Sequence, residues 1–465
     1  MPVKLKIAYI GGGSKEWAMI FMNDLALSEG LEGEVALYDI DKDAALRNQS
    51  IGSMISEHQD ALSHFRYSVS DDIESALEGA DFVAISILPG LIETMNVDVH
   101  YPEKYGIYQS VGDTVGPGGV IRSMRTVPLF IGFAEKIKEI CPKAWVINFT
   151  NPLSICVKTL NSVFPDIKAF GCCHEVFHAQ DFLCRMWESK HEEKINRKDL
   201  YTDVSGVNHF TWISEAAYRN DDLLALLPEF IKENEASGFN HNGSNAAYLS
   251  DPFSCSNLVK MDLFEHYGVL GAAGDRHLAE FMPGKQYLAS PEVVNRWRFA
   301  LTDVKYRIWR REDKIKHLDD LVSGKKPLCL QKSDEEAIDL VLALKGRKPF
   351  ISNVNLPNQG QMPGVPIGAI VETNAYFYND HVTPLLAKRL PDDVLELVNL
   401  HIENLELLFE GIRNRDLDAC FRAFARQPLC ASLPHNKALN LFREMLEATS
   451  EYLEPYFDLK YYLQR

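Results

Sequence analysis

Through its first third the chain alternates short apolar runs with stretches of helical periodicity. Leu5-Lys6-Ile7-Ala8-Tyr9-Ile10 reads as a strand, about Glu16 to Ser28 as a helix, and Glu34 to Ile40 as a second strand. Further strands are expected at 64–70, 81–87, 145–149 and 168–173, with helices at 123–140 and 152–163. Strands alternating with helices in this way predict an α/β protein on a right-handed, doubly wound, mainly parallel sheet. Ligands of such sheets lie beyond the carboxyl ends of the strands. Polar residues there (Asp39, Ser86, Asn148, Asn151, Cys173 and His174) therefore weigh more than polar residues elsewhere.

From about Asp199 the pattern changes. Alternation between Thr202 and Ala217 suggests mixed or antiparallel strands. Long amphipathic patterns follow at 254–268, 334–345, 392–413 and 436–453, and prolines and glycines punctuate 352–374. With no flexible linker near 200, the expected organisation is a nucleotide-binding domain over 1–198 and an α+β lobe over 199–465 that share an interface. The helical segment from Val394 to Phe457 either packs on that lobe or offers an apolar face to a second copy.

Between the first strand and helix lies Gly11-Gly12-Gly13-Ser14, and the second strand closes in Asp39. Glycines let a backbone approach a pyrophosphate, the helix N-terminus offers free N–H groups, and a carboxylate takes ribose hydroxyls. Asp39 favours NAD over NADP, since a carboxylate repels a 2′-phosphate. Two departures weaken the fingerprint. Glu16 occupies the place of its third glycine, and Asp39 lies further along than the usual ~20 residues.

Composition narrows the class. The 465 residues are 46% hydrophobic and 24% charged, as in an ordinary globular protein. No apolar stretch approaches the ~18 residues of a membrane helix, and the N-terminus carries no signal-like segment. Nine scattered cysteines suggest a reducing, cytoplasmic setting. A net charge of −17 argues against nucleic-acid or anionic-membrane partners.

Three stretches carry candidate chemistry. In Gly171-Cys172-Cys173-His174-Glu175-Val176 and Gly206-Val207-Asn208-His209, a thiolate and an imidazole from different elements could hold a divalent metal with open positions. Equally, both cysteines could be small buried hydrophobes and His209 a core histidine. Adjacent strand residues face opposite ways, so only one of Cys172 and Cys173 should reach a site. Asp113 within Val111 to Gly119, followed by Arg122 and Arg125, suggests either a loop closing on a ligand or a surface turn before the helix near 123. Asp275-Arg276-His277 could supply an acid or base, or Asp275 could simply cap a helix.

In their order these motifs resemble glycoside hydrolase family 4: the Gly11–Ser14 turn, Leu37 to Asp41, Asp113 to Gly119, Asn148-Phe149-Thr150-Asn151-Pro152, Cys173 to Val176, Gly206 to His209, and Gly274 to Phe281. The resemblance spans essentially the whole chain. It implies a lactate/malate-dehydrogenase-like Rossmann domain that binds NAD through Gly11, Gly12, Gly13, Ser14, Asp39 and Ser86. It also implies a second lobe that carries substrate and metal. The implied reaction is redox-assisted elimination: hydride leaves the sugar C3, a base takes the C2 proton, the aglycone departs from C1, water adds, and the hydride returns. A divalent ion, manganese in most members, is implied on Cys173 and His209. Asp275 is implied as the base and His174 as the acid, with Asp113, Asn148, Asn151, Arg276 and His277 facing the sugar.

His-Glu-Val after Cys173 resembles the α-glucosidase/α-galactosidase-like branch, which implies a small, non-phosphorylated, α-glucoside-like substrate and a homodimeric or homotetrameric enzyme. Around Ile87 to Glu93 the family's double-glycine and arginine pattern is missing, which leaves open an anionic or otherwise unusual glycoside. Two alternatives remain: a 2-hydroxyacid dehydrogenase on the same scaffold, and a non-enzymatic NAD-responsive regulator.

Overall fold

The computed structural model describes residues 2–464. Thirteen strands among them form a single sheet. Six are parallel: β1 (Val3–Ile10), β2 (Leu31–Tyr38), β3 (His64–Val69), β4 (Phe82–Ile85), β5 (Trp145–Asn148) and β6 (Lys168–Gly171), in the order β3-β2-β1-β4-β5-β6. This is the order of dinucleotide-binding sheets, and it reverses beside β1, the switch point at whose carboxyl side such sheets take their ligands. The central strands are apolar on both faces because helices cover both, whereas the edge strand β3 alternates exposed His64 and Arg66 with buried Phe65 and Tyr67. β4 and β5 are buried throughout.

The second half adds β7 (Tyr201–Val207), β8 (Phe210–Tyr218), β9 (Asp221–Asp222), β10 (Leu270–Gly271), β11 (Phe350–Pro357), β12 (Ile370–Tyr378) and β13 (His381–Pro384). They do not make a separate sheet. β11 pairs antiparallel with β6 through Asn355 and Gly171, and β12, β7, β8 and β10 follow outward. The helices used below are α1 (Trp17–Ala26), α2 (Lys42–Ser56), α3 (Gly116–Ile140), α4 (Leu153–Val163), α5 (Glu175–His191), α6 (Leu258–Tyr267), α7 (Asp275–Phe281), α8 (Val304–Val322), α9 (Ala337–Leu344) and α10 (Asp392–Arg413).

The apolar cores cross the expected boundary at 198/199. Around the parallel strands, Leu318, Leu340, Val354 and Phe377 from the second half pack with Ile7, Val35, Phe82 and Phe170. In the other direction, Val120, Met124 and Val127 of α3 join the core of the C-terminal helices. Each such buried side chain contributes roughly 1.5–3 kcal/mol, so neither half is complete alone. The apolar face of α10 (Val398, Ile402, Phe409) is consumed in this core, so it packs internally rather than offering an open face.

One boundary differs from expectation. α3 starts at Gly116, not near 123, and the cluster Gly116-Pro117-Gly118-Gly119 forms its buried first turn. Proline is tolerated at the start of a helix, and the glycines are demanded by crowding. A Cβ on Gly118 would lie 2.6 Å from the Gly112 carbonyl oxygen, and one on Gly119 2.4 Å from the Thr114 carbonyl carbon. Among the described residues no helix is long and apolar enough to cross a membrane.

Candidate active site at the carboxyl edge of the sheet

The glycine turn is built for close approach. Gly11 has φ +92°, and a Cβ there would sit 2.0 Å from the Ser86 carbonyl oxygen at the end of β4. Asn48 of α2 ties the turn down by donating to the carbonyl oxygens of Gly12 (2.7 Å) and Ser14 (2.8 Å). Ser14 Oγ accepts from the Trp17 N–H at 3.1 Å and so caps α1. Asp39 does double duty. Its carboxylate accepts from the N–H groups of Gly13 (2.8 Å) and Asp41 (2.9 Å), fixing the turn against the end of β2. Ile40 beside it is 95% exposed, an apolar platform at the same edge.

Further along the edge, β6 ends and α5 begins, and here the two cysteines separate. Cys172 packs against the parallel-sheet core. Cys173 packs beside Leu153 and Val157 of α4 and shares its surroundings with Asn208, Glu372 and Glu175. Burial, reinforced by Glu372 and Glu175, pushes its thiol well above the usual range. His209 comes from the tight turn between β7 and β8 and is held at φ +66°. A non-glycine residue there costs about 1–3 kcal/mol, a strain that collects at functional sites. Its Nδ1 lies 3.0 Å from the Thr114 hydroxyl, and its ring lies 4.0 Å from that of His277. Burial, then His277, pulls its pKa down to about 3 and leaves the imidazole neutral, the form that binds metals.

α7 forms the opposite wall. Glu280, fully buried, accepts from the N–H groups of Val111 (2.7 Å) and Gly112 (2.9 Å) and so holds the loop that presents Asp113. Burial would raise the Asp113 carboxyl, but Arg122, His209, Thr114 and His277 together hold it below the usual range. His277 Nε2 lies 3.3 Å from Glu175 Oε1, and Glu175 Oε2 accepts from the Gly274 N–H at 2.7 Å, which joins α5 to α7. His174, Glu175 and His178 bring three possible ligand atoms within 4.8 Å of one another. Glu175 is already committed to α7, however, and His174 Nδ1 to Glu335 at 2.9 Å.

His174 stacks on Trp17, which in turn stacks on Phe149. Burial alone would lower its pKa, yet the Glu335 hydrogen bond and charge raise it to about 9. Neither Glu335 nor Trp17 stood out in the sequence. Glu335 is some 160 residues away, and Trp17 reads as an ordinary amphipathic position.

Two expected sugar contacts, Asn148 and Arg276, serve the surrounding backbone instead, and the expected base, Asp275, carries a structural load as well. Asn148 is fully buried, and both its amide atoms serve the Thr150 backbone at 3.0 Å, so it shapes the turn after β5 instead. Arg276 is buried and donates to the Ser110 carbonyl and to Thr302 Oγ1 (2.8 Å), so it props the Asp113 loop. Asp275 has no exposed surface. Its carboxylate accepts from Val259 N–H (3.2 Å) and Lys260 N–H (3.0 Å), capping α6 rather than its own helix. Burial lifts its pKa to about 6 against the pull of Lys260, whose own buried Nζ has no hydrogen-bond partner. Asn151 remains available: its Oδ1 is buried without a partner while its carbonyl accepts from Arg122 Nε at 3.3 Å.

Residues 6–189 match the family 4 glycosyl hydrolases, and residues 204–430 match the C-terminal domain of that family. An α-galacturonidase of Thermoanaerobacter italicus is 47% identical over 450 residues, 97% of both chains. The crystal structure of lplD from Bacillus subtilis superposes with a TM-score of 0.91 at 44% identity, covering 96% of this chain and 100% of that one. The fold is shared by a 6-phospho-α-glucosidase from gut microorganisms crystallised with NAD and Mn²⁺. Its TM-score is 0.80 at 20% identity, covering 97% of this chain and 99% of that one.

Proposed function

The chain belongs to family 4 of the glycosyl hydrolases, and on that premise we propose that it is an NAD- and divalent-metal-dependent α-galacturonidase. One observation carries the substrate class: the likeness to proteins named α-galacturonidase runs over nearly the whole chain, through both halves of the crevice. The α-glucoside expectation drawn from His-Glu-Val gives way to it. The anionic alternative suggested by Ile87 to Glu93 becomes the leading one.

The residues present fit both groups. A Cβ would fill the cradle at Gly11, as expected where a backbone must approach a diphosphate. Cys173 and His209 offer one sulfur and one neutral nitrogen, a donor set suited to a borderline divalent ion. When bound, the dinucleotide supplies reversible hydride exchange at the sugar C3, and the ion supplies Lewis-acid polarisation of the C2 and C3 oxygens.

The chain's own residues do the rest in this reading. Asp275 accepts the C2 proton. His174, held through Nδ1 by Glu335 and flat against Trp17, gives a proton to the leaving oxygen. Asn151 Oδ1 accepts from a sugar hydroxyl, and Asp113 and His277 border the ring. Turnover of an α-galacturonide by purified protein, dependent on both added NAD⁺ and Mn²⁺ and without net NADH, is the test. Undiminished turnover in chelated, NAD-free protein contradicts the proposal.

A further inference from the structure

α8 crosses the crevice lengthwise. Its C-terminal half rests on the nucleotide side, where Asp319 pairs with Arg47 of α2 at 2.6 Å and Leu318 enters the parallel-sheet core. Its N-terminal end packs through Val304 on Met95 and Val99, in the segment that follows β4. Arg307, Arg310 and Lys314 recur at the spacing of one helical face. Lys314 and Arg310 (3.6 Å) both pair with Glu16 beside the glycine turn.

Arg307 lies seven residues before Lys314, roughly 10 Å along the axis at ~1.5 Å per residue. It is half-buried, with its guanidinium 4.6 Å from the centre of the Phe253 ring, and no described residue gives its side chain a hydrogen bond or an ion pair. The charges acting on it include Asp113, Arg122, Arg310 and Glu16, and Arg276 and Lys314 are coupled to it as well. Asp113 is shared among Arg122, Thr114, His209 and His277, and Glu16 is shared between Arg310 and Lys314. In a chain of net charge −17, Arg122, Arg276, Arg307, Arg310 and Lys314 gather here around Asp113 and Glu16, two carboxylates that are already engaged.

A partly desolvated guanidinium flanked by two others is unfavourable unless an anion completes it, and its planar fork matches a carboxylate. A neutral hexose offers nothing to compensate it. The other anion at hand is the dinucleotide diphosphate. The glycine turn would draw that group to the Glu16 end of α8, whereas the first charge acting on Arg307 is Asp113, which is itself coupled to His209. We propose that Arg307 is the specificity-determining residue that receives the substrate's C6 carboxylate. This rests on the reading of the substrate as a uronide.

The test compares wild-type, R307M and R307K protein on an α-galacturonide and the matching α-galactoside, with NAD⁺ affinity measured by fluorescence titration and D-galacturonate binding by calorimetry. R307M is expected to lower the galacturonide-to-galactoside ratio of kcat/KM by about 100-fold, the loss typical when one member of a close charge pair is removed. It should abolish measurable galacturonate binding while NAD⁺ affinity and thermal midpoint hold, and R307K should fall between. An unchanged ratio in R307M overturns the inference while leaving the uronide reading intact. A fall in NAD⁺ affinity that matches the loss of turnover overturns it in favour of the diphosphate. A wild-type enzyme that itself prefers the galactoside overturns the uronide reading, and the inference with it.

Discussion

Asp275 is the residue on which the chemical reading leans most. Its burial, which raises a carboxyl to about 6, suits it to accept a proton near neutrality, and its two amide contacts give it a second, structural role. D275N keeps a hydrogen-bond acceptor for α6, so it should fold with a near-native thermal midpoint yet lose at least ~1,000-fold in turnover and in exchange of a C2 deuteron with water. D275A, which removes the cap, should cost about 1–2 kcal/mol in addition. Wild-type-like turnover in D275N reduces Asp275 to a cap.

The sign of the pH dependence follows. Below about 6 the carboxyl is protonated and cannot accept, so kcat should rise as pH climbs through that value. Because this value lies above the unfolded 3.8, ionisation weakens the fold as pH rises from 3.8 to about 6. The native thermal midpoint should therefore fall across that window more than that of D275N. Cys173 makes a separate prediction. C173S should abolish Mn²⁺ binding in an electron paramagnetic resonance titration, because a serine hydroxyl does not replace a thiolate. C172S, altering the side chain turned to the sheet core, should bind normally.

At the scale of elements, the six parallel strands, α1, α4 and the body of α3 were legible because apolar runs and 3.6-residue periodicity marked them independently, whereas α2 and α5 were not singled out. The start of α3 was not, since four residues of poor helix propensity open it, and packing against the Thr114 and Gly112 backbone overrides that propensity. G118A should therefore destabilise the protein by about 1–3 kcal/mol in a urea titration, because the new methyl meets backbone rather than a yielding side chain. α8 went unmarked for the opposite reason. Only Val304, Leu318 and Leu321 of its residues are fully buried, so its apolar stripe is thin and its charges read as a solvated face. Its cationic face becomes visible only when the fold lays it across the crevice. Cys173 and His209, the proposed metal pair, were singled out by motif order, whereas Glu335, Trp17 and Arg307 depend on tertiary contacts between segments far apart in the chain.

At the scale of the whole molecule, thirteen strands in one sheet and cores that cross residue 198 join two sequence textures among the described residues. A fragment ending at residue 198 would leave the edge of β6 unpaired and lose the cover given by Leu318, Leu340 and Phe377. It should show no cooperative thermal transition, whereas the full chain should show one. The charge of −17 conceals a locally cationic stretch along α8, since a global sum says nothing about one helix face. The most direct measurement of the central claim is kcat/KM for matched α-galacturonide, α-galactoside and α-glucoside substrates, each with and without NAD⁺ and Mn²⁺, while the nicotinamide absorbance is followed. The account predicts a strong preference for the galacturonide, loss of turnover when either addition is withheld, and no net accumulation of NADH. Preference for a neutral glycoside, turnover without the additions, or stoichiometric NADH would contradict it.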